Sequence, residues 1–447
     1  ILKKLLIKNA LLVNEGTTRE GDLLVSGERI EKIAASIAAS DTMNVLDAQG
    51  HYLIPGMIDD QVHFREPGLT VKGDLATESA AAAAGGITSF MDMPNVNPQT
   101  TTREALAAKY ELAAGRCTAN YGFYLGATNR NIEEIKALQV NEGCGIKAFM
   151  GASTGDMLVD DPAALDLLFK HAPVIVLTHC EHSPTIWENE ALAKTKYGDD
   201  VPMSEHPLIR SAAACLQSST LATTLASRHD ALLHVLHLTT GIEMALFTPG
   251  HRSQKRITAE VCVHHLWFDE SRYEELGTRI KCNPAIKTAD DRKALLRALA
   301  EDRIDIIATD HAPHTAAEKQ NTYFKAPAGL PLVQHALQCL FDLAAQGHFS
   351  IEKLVDKTSH AVADIFGVKE RGYLREGYFA DLALVNPEQP YTVDASNVLC
   401  KVGWSPFEGQ TFGSSIDATI VNGTIVWQDG KLTGAVAGQR LEFGRAR

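Results

Sequence analysis

The sequence predicts an α/β protein: a (β/α)8 barrel of the TIM type, with a small β-sandwich built from both ends of the chain. Three observations lead to this prediction. The middle of the chain alternates strand-like apolar runs with helical stretches over roughly 250 residues. Polar residues able to bind a metal or move protons fall where five of these runs end. Both chain ends have short strand-like runs and turns without helices between them.

The predicted sandwich takes residues 1–52 and 371–447. Short apolar runs occur at residues 5–7, 10–13 and 22–25, and Ser26-Gly27-Glu28 has the composition of a turn. Near the other end, Asn422-Gly423 interrupts residues 418–427 as the turn of a hairpin does. The first strands lack partners in their own segment. We therefore predict that the second segment completes the sandwich.

The predicted barrel takes residues 53–370. Its strands are predicted at residues 57–65, 87–93, 120–125, 145–150, 174–179, 232–237, 256–262 and 304–309. Helical stretches separate most of them, and the Ala-rich stretch 72–84 stops at Gly85-Gly86. A doubly wound open sheet fits the same alternation. We favour the barrel because only a closed barrel brings five polar strand ends around one mouth.

The five polar strand ends suggest a metal site. They are His63, Lys147, His179, His237 and Asp310, at or just past strands 1, 4, 5, 6 and 8. Imidazole and carboxylate ligands without paired cysteines suit catalytic zinc better than structural zinc. A single strand histidine is more commonly a packing residue, so the prediction depends on the recurrence of such residues downstream.

Several of these residues have structural explanations too. Lys147 would be repelled by metal cations unless it is neutral or chemically converted, and it also fits an ordinary solvated lysine. Asp310 ends an apolar strand, which suits a chemical task, and it also fits a helix N-cap. His311 and His314 are further candidates, and His311 could equally be a packing residue. We interpret His264-His265 as structural, because adjacent strand residues face opposite ways.

Three residues are candidates for holding a substrate. Arg65 shares a face of strand 1 with Gln61 and His63 if the strand reaches residue 65. Asn95 follows strand 2, and Asn283 follows strand 7 on a loop. Arginine suits two-point capture of a carboxylate. Taken alone, each is explained better as a surface arginine or a turn asparagine.

Composition limits the class of protein. The chain has 45% hydrophobic and 22% charged residues, which is typical of a soluble globular protein. No apolar run approaches the roughly 20 residues of a membrane helix, and no signal peptide is visible. The eight cysteines show no CxxC pair, so we expect reduced thiols and a cytoplasmic location. A net charge of −13 argues against a nucleic-acid partner. The start lacks Met, so we expect a residue or two before Ile1.

The ordered motifs of the chain resemble the amidohydrolase superfamily and, within it, the dihydroorotases. The resemblance covers nearly the whole length. It is carried by residues 63–68 (HFREPG), 93–95 (MPN), 145–147 (GIK), 179–181 (HCE), 237–239 (HLT), 281–284 (KCNP), 309–314 (TDHAPH) and 404–409 (WSPFEG). Any one motif is weak, but a chance match of the ordered set is negligible.

The resemblance implies a zinc enzyme of pyrimidine biosynthesis that closes N-carbamoyl-L-aspartate into L-dihydroorotate, reversibly. It implies that Lys147 is carboxylated on its amine and bridges two zinc ions as an anion, which removes the repulsion noted above. His63 and Asp310 would ligate one zinc, and His179 and His237 the other. Asp310 would also be the general base.

The resemblance also implies a substrate site and an assembly. The substrate would be held by Arg65, Asn95, Asn283, His314 and the backbone around Ala328 and Gly329. Arg65 is the discriminating residue, because allantoinases and hydantoinases typically lack this arginine and their substrates carry no ring carboxylate. Relatives are usually homodimers or homotetramers, and the expected partner is a small-molecule substrate.

One position departs from the family pattern. The family carries His-x-His on strand 1, and the first of these positions is Gln61 here. An amide oxygen is a poorer, neutral ligand for zinc than an imidazole. The site could therefore hold one zinc, or Gln61 or a water could complete a site for two. The alternatives are an allantoinase- or hydantoinase-type cyclic amidohydrolase and a non-catalytic homologue that keeps the fold.

Overall fold

The computed structural model describes residues 2–151 and 157–447. Within them, eight parallel strands form the predicted barrel. They are Met57–Val62, Ile87–Asp92, Asn120–Phe123 continued by Leu125–Gly126, Ile146–Phe149, Val176–His179, Leu233–Val235, Ile257–Cys262 and Ile306–Ala308. We number them barrel strands 1 to 8 in this order. Each lies within the residues predicted for it, apart from the end of strand 3.

The barrel closes between strands 8 and 1. Strands 1 to 3 and strands 3 to 8 form two runs of parallel neighbours. Across the remaining seam, Val62 pairs in parallel with His311, and the His63 amide donates to the His311 carbonyl at 2.7 Å. The closed barrel is therefore confirmed over the open sheet, and the carboxyl ends of the strands meet at one mouth.

Helices connect the strands. The longer ones are Leu75–Ala84, Arg103–Ala113, Pro162–His171, Ser183–Tyr197, Ala212–His229, Ala289–Ala300 and Ala336–Ala345. The shorter ones include Ile132–Ala137, His206–Ile209, Val263–Trp267, Tyr273–Leu276, Ala316–Lys319, Ile351–Val355 and Ala361–Phe366. Side-chain caps fix several starts by accepting a first-turn amide, namely Asp74, Thr102, Asp161, Ser211 and Thr288.

The two ends of the chain meet in one nine-stranded sheet. Its strands are Lys4–Asn14, Thr17–Ser26, Arg29–Ala34, Met43–Asp47, Tyr52–Pro55, Leu382–Asn386, Ser415–Val421, Thr424–Gln428 and Lys431–Leu432. Tyr52–Pro55 joins the two halves, because it pairs in parallel with Lys4–Asn14 and antiparallel with Leu382–Asn386. The second segment therefore does supply partners for the first.

This sheet encloses an apolar core of its own. The Ile30 amide donates to the Tyr378 carbonyl at 2.8 Å, which brings the edge strand Arg29–Ala34 back to the segment before Leu382–Asn386. Buried residues from both chain ends share the core, among them Leu5, Leu23, Leu53, Leu382 and Ile420. The predicted hairpin turn is present at Asn422 and Gly423, which both have positive φ.

The terminal segments also contact the barrel. Tyr52–Pro55 carries the terminal sheet beyond residue 52. Trp404 Nε1 donates to the His314 carbonyl at 2.8 Å, and Leu441 and Phe443 pack in a core cluster with residues of strand 8. The division into residues 1–52 with 371–447 and residues 53–370 stays a prediction about domains.

Of the helices in residues 2–151 and 157–447, none has the length and apolar character that crossing a membrane needs. All eight cysteines are buried and unpaired.

Candidate active site

The carboxyl ends of the barrel strands surround a cavity of about 190 Å³. Every residue predicted to bind metal or substrate lines it: His63, Arg65, Asn95, Lys147, His179, His237, Asn283, Asp310, His314, Ala328 and Gly329. These residues span more than half of the chain and meet only in the folded barrel. The structure brings the predicted set together, and the role of each residue there stays a prediction.

His63 lies between two oxygen atoms at the end of strand 1. Its Nδ1 donates to Asn95 Oδ1 at 2.8 Å, and its Nε2 is 3.1 Å from Asp310 Oδ1. Burial lowers the pKa of His63, so the ring is neutral and Nε2 carries a lone pair. A lone pair and a carboxylate oxygen thus face each other, and the partner that this pair lacks is a cation, either a proton or a metal ion.

His179 and His237 place two more imidazoles at the ends of strands 5 and 6. Their ring centroids are 4.5 Å apart, and burial lowers the pKa of both. His179 Nε2 donates to Glu181 Oε1 at 2.7 Å, the arrangement usual for a histidine whose other nitrogen binds a metal. His237 Nδ1 is buried without a hydrogen-bond partner among the described residues. The donor set therefore fits a metal ion.

Lys147 is buried on strand 4 with only 1% of its surface exposed. Its Nζ lies 4.4 Å from the centre of the Phe149 ring, and burial lowers its pKa to about 8. The structure thus excludes the solvated lysine that the sequence left open. A lysine with a lowered pKa is partly neutral near physiological pH, and the neutral amine is the reactive form.

Three cavity residues have a left-handed backbone: Arg65 at φ 72°, His237 at φ 35° and Asp310 at φ 53°. For residues other than glycine this costs of order 1–3 kcal/mol, and such residues cluster at functional sites. The prediction that strand 1 reaches residue 65 is wrong. The strand ends at Val62, and Arg65 reaches the cavity through the turn that follows. Asp310 is not a helix N-cap, because Thr315 caps the next helix.

Arg65 lies against His314 at the cavity wall. Lys72 Nζ donates to His314 Nδ1 at 2.9 Å, so His314 Nε2 carries the ring proton and donates it to the Ala328 carbonyl at 2.9 Å. Arg65 Nε donates to the Pro313 carbonyl at 3.1 Å. Arg65 Nη2 is 3.2 Å from His314 Nε2, but it faces an N–H there and cannot donate to it. The terminal N–H groups of Arg65 are therefore left for a ligand.

Arg65 is only 6% exposed, and burial lowers its pKa to about 10. Nearby acids, Asp310 foremost, attract its charge without a hydrogen bond to it. Asn95 Oδ1 accepts from His63, which leaves the amide N–H groups of Asn95 available to a ligand. Asn283 Oδ1 is buried without a partner among the described residues. A buried cation beside unpaired amides suits a ligand with both a carboxylate and an amide.

Sequence reasoning missed the residues that hold His179. Arg210 Nη1 lies 3.1 Å from Glu181 Oε1, the same oxygen that accepts from His179. Burial alone would raise the pKa of Glu181, but the charge of Arg210 and the bond from His179 outweigh it and lower that pKa to about 2. Glu181 was visible in the HCE motif. Arg210 gave no signal, because it follows the insertion at residues 180–209 and meets Glu181 only in the fold.

A layer of buried acids lies deeper in the barrel and was also missed. Asp59 accepts from Thr309 Oγ1 at 2.5 Å, and burial raises the pKa of Asp59 to about 8. Asp60, His234 and Glu260 form a compact group, with His234 Nε2 3.1 Å from Glu260 Oε2 and 3.5 Å from Asp60 Oδ2. The sequence feature that could have indicated this layer is the pair of adjacent aspartates, Asp59 and Asp60, inside an apolar strand.

The remaining sequence candidates have packing partners. His311 Nε2 is 2.9 Å from Glu78 Oε1, and His311 Nδ1 accepts the Leu332 amide at 2.9 Å, which identifies His311 as a packing residue. Gln61 lines the cavity, and its Oε1 accepts from Cys262 Sγ at 3.7 Å.

His264 and His265 lie on the helix Val263–Trp267, not on a strand as predicted. Strand alternation therefore does not apply to this pair, and the two ring centroids are 4.0 Å apart. Together with Cys282 they form a second compact group of possible metal ligands. Within the described part of the chain, neither compact group contains a residue predicted to bind metal.

Known proteins match the chain over nearly its whole length. The model of the amidohydrolase family matches residues 52–426. A dihydroorotase of Halobacterium salinarum is 33% identical over 444 residues, which cover 97% of this chain and 99% of the relative. A dihydroorotase of Pediococcus pentosaceus is 32% identical over 431 residues, which cover 95% of this chain and 99% of the relative.

Solved structures match the whole fold. The L-hydantoinase (dihydropyrimidinase) from Arthrobacter aurescens has a TM-score of 0.93 at 25% identity, covering 99% of this chain and 100% of that one. The dihydropyrimidinase from Brevibacillus agri has a TM-score of 0.90 at 26% identity, with the same coverage. The fold, the cavity and these matches agree, and the chain belongs to the amidohydrolase family as a hydrolase that acts on cyclic amides.

Proposed function

We propose that this protein is a dihydroorotase, which interconverts N-carbamoyl-L-aspartate and L-dihydroorotate in pyrimidine biosynthesis. The observation that carries the proposal is the buried guanidinium of Arg65, whose terminal N–H groups point to no acceptor among the described residues. Dihydroorotate presents a ring carboxylate to such a group, whereas hydantoin and allantoin have none. The names of the relatives that are about one third identical support the same substrate.

Different side chains of the cavity bind the substrate, orient it and transfer the proton. Arg65 binds the ring carboxylate, and the unpaired amide groups of Asn95 and Asn283 orient the ring. Asp310 accepts the proton of the attacking water and passes it to the ring nitrogen as the amide bond breaks. In the reverse direction, the carbamoyl nitrogen attacks the carbon of the protonated side-chain carboxyl group and gives its proton to Asp310. Asp310 returns this proton to the departing hydroxyl group, which leaves as water.

We propose zinc in the cavity, where His63, Asp310, His179 and His237 would hold it together with a carboxylated Lys147. The lone pair of His63 Nε2 opposite Asp310 and the unpartnered His237 Nδ1 support this donor set. Bound zinc would polarise the amide carbonyl and lower the pKa of a water.

The turnover of dihydroorotate, hydantoin and allantoin by the purified protein tests the proposed function. We expect dihydroorotate to be the strongly preferred substrate, in both directions of the reaction. Preference for hydantoin or allantoin would overturn the proposal in favour of the rival cyclic amidase. No turnover together with no bound metal would favour the non-catalytic homologue. Elemental analysis of the wild type and of Lys147→Arg, whose difference is the zinc held in the cavity, shows whether Gln61 leaves this site with one ion or two.

Carboxylation of Lys147 can be observed directly. We expect protein exchanged with 13C-labelled bicarbonate to show a carbamate carbon in its NMR spectrum, because the buried amine is easily neutralised. Lys147→Arg keeps a cation but cannot form this carbamate, so the signal and the metal held in the cavity should both be lost. A wild-type protein that holds its metals without this signal would contradict the assignment.

Glu181→Gln should weaken metal binding without removing any ligand. The amide can still accept from His179, but the charge that polarises the ring and pairs with Arg210 is gone. Loss of such a supporting partner typically costs about 10- to 100-fold in metal affinity. Competition with a chelator measures the change. Glu188→Gln, on the neighbouring helix Ser183–Tyr197, removes the same charge and serves as the control.

We propose a cytoplasmic homodimer or homotetramer. The location is supported by eight unpaired cysteines, and the assembly by the family resemblance. Light scattering of the purified protein measures the assembly.

A further inference from the structure

We propose that His264, His265 and Cys282 form a separate metal site for a thiophilic cation of the zinc class, beside the wall of the cavity. One ligand atom from each residue lies within 4.8 Å of the other two. The residues are 1%, 3% and 2% exposed, respectively. The two histidines come from the helix Val263–Trp267, and the cysteine comes from the loop that carries Asn283.

The unpartnered nitrogen atoms of the two histidines point to a missing ligand. Both ring nitrogens of His264 and the Nδ1 of His265 are buried without a hydrogen-bond partner among the described residues. Each such atom loses its contact with water on burial, and no hydrogen bond among the described residues offsets that cost. Burial lowers the pKa of His264, and it lowers that of His265 to about 4, so both rings are neutral. Neutral imidazole is the form that binds metal.

Cys282 supplies the third donor. Its Sγ is 3.8 Å from His265 Nε2 and 3.4 Å from the Pro284 carbonyl oxygen. The same oxygen accepts from His265 Nε2 at 3.0 Å, so the free lone pair of His265 is on Nδ1. Burial raises the pKa of Cys282 to about 12, so without a metal the thiol keeps its proton. Metal binding forms the metal–sulfur bond and releases this proton to solvent. Two imidazoles and one thiolate are a donor set that zinc and its heavier relatives favour over hard cations.

This site is distinct from the proposed catalytic metal site. None of its three residues belongs to the predicted ligand set, although Cys282 lines the same cavity. Because Cys282 directly precedes Asn283, a bound ion would fasten the loop of Asn283 to the helix Val263–Trp267. The ion would therefore anchor one wall of the cavity, whichever cyclic amide is hydrolysed there.

Cadmium tests the site because a cadmium–thiolate bond gives an ultraviolet charge-transfer band. We expect the purified protein, equilibrated with cadmium, to develop this band with the intensity of one cadmium–thiolate bond per chain, whether the ion enters an empty site or replaces zinc there. Cys282→Ser should lose the band. Cys262→Ser is the matched control, because Cys262 is equally buried and immediately precedes the same helix. The control should keep the band, since Cys262 lies outside the group.

A second variant covers the case in which Cys282→Ser fails to fold. His264→Gln keeps the thiol and removes an imidazole, so cadmium affinity should fall by more than about 10-fold, given that even supporting partners cost that much. Equilibrium dialysis measures the affinity. A wild-type protein without the band, a band that survives in Cys282→Ser, or an unchanged affinity in His264→Gln would each overturn the proposal.

Discussion

Asp310→Asn should abolish nearly all interconversion of carbamoyl aspartate and dihydroorotate while the protein stays folded. The asparagine side chain has the same size but cannot take up the proton that the reaction must move. A well-placed general base contributes about 10²- to 10⁴-fold. The variant also loses the negative charge that faces His63 Nε2 at 3.1 Å, so we expect kcat to fall by at least about 10³-fold.

The loss should be equal in both directions, because one carboxylate carries the proton both ways. Steady-state kinetics with each substrate measures it, and elemental analysis of the variant separates loss of the base from loss of metal. Asp290→Asn removes the same charge from an exposed position in the first turn of the helix Ala289–Ala300 and should leave kcat unchanged. An Asp310→Asn variant with wild-type turnover would end the proposed mechanism.

The barrel and its mouth could be predicted because both follow from local patterns. Apolar runs of the right length marked the strands, and polar residues such as His179 and His237 stood at their ends. The closed barrel then placed these ends together without any knowledge of the loops. Arg65 shows the limit of this reasoning. It lines the cavity as predicted, but through a left-handed turn that strand alternation cannot describe.

What sequence reasoning missed depends on contacts between distant segments. Arg210 meets Glu181 across a sequence separation of 29 residues. Asp60 and Glu260 are buried acids on strands that are otherwise largely apolar. The alternation of side chains along a strand does not predict which residues such acids contact. The free-energy cost of burying a polar group, and its role, depend on its hydrogen-bond partners, which only the folded structure identifies.

Arg65→Ala should distinguish a dihydroorotase from a general cyclic amidase. The variant removes the buried cation from the place where the ring carboxylate binds, and truncating one partner of such a pair costs about 2–5 kcal/mol. At about 1.4 kcal/mol per tenfold change, kcat/KM for dihydroorotate should fall by roughly 30- to 5,000-fold, mainly through KM. Hydantoin has no carboxylate, so its slow turnover should change little.

The contrast between the two substrates is the informative measurement, because a misfolded or metal-free variant would lose both. Arg65→Lys refines it, since an ammonium keeps the charge but cannot form two parallel hydrogen bonds. Its kcat/KM for dihydroorotate should therefore lie between those of the wild type and Arg65→Ala. Equal losses of kcat/KM for dihydroorotate and hydantoin in both variants would mean that Arg65 supports the cavity wall through the Pro313 carbonyl and does not bind a substrate carboxylate. The substrate would then have to be sought among uncharged rings.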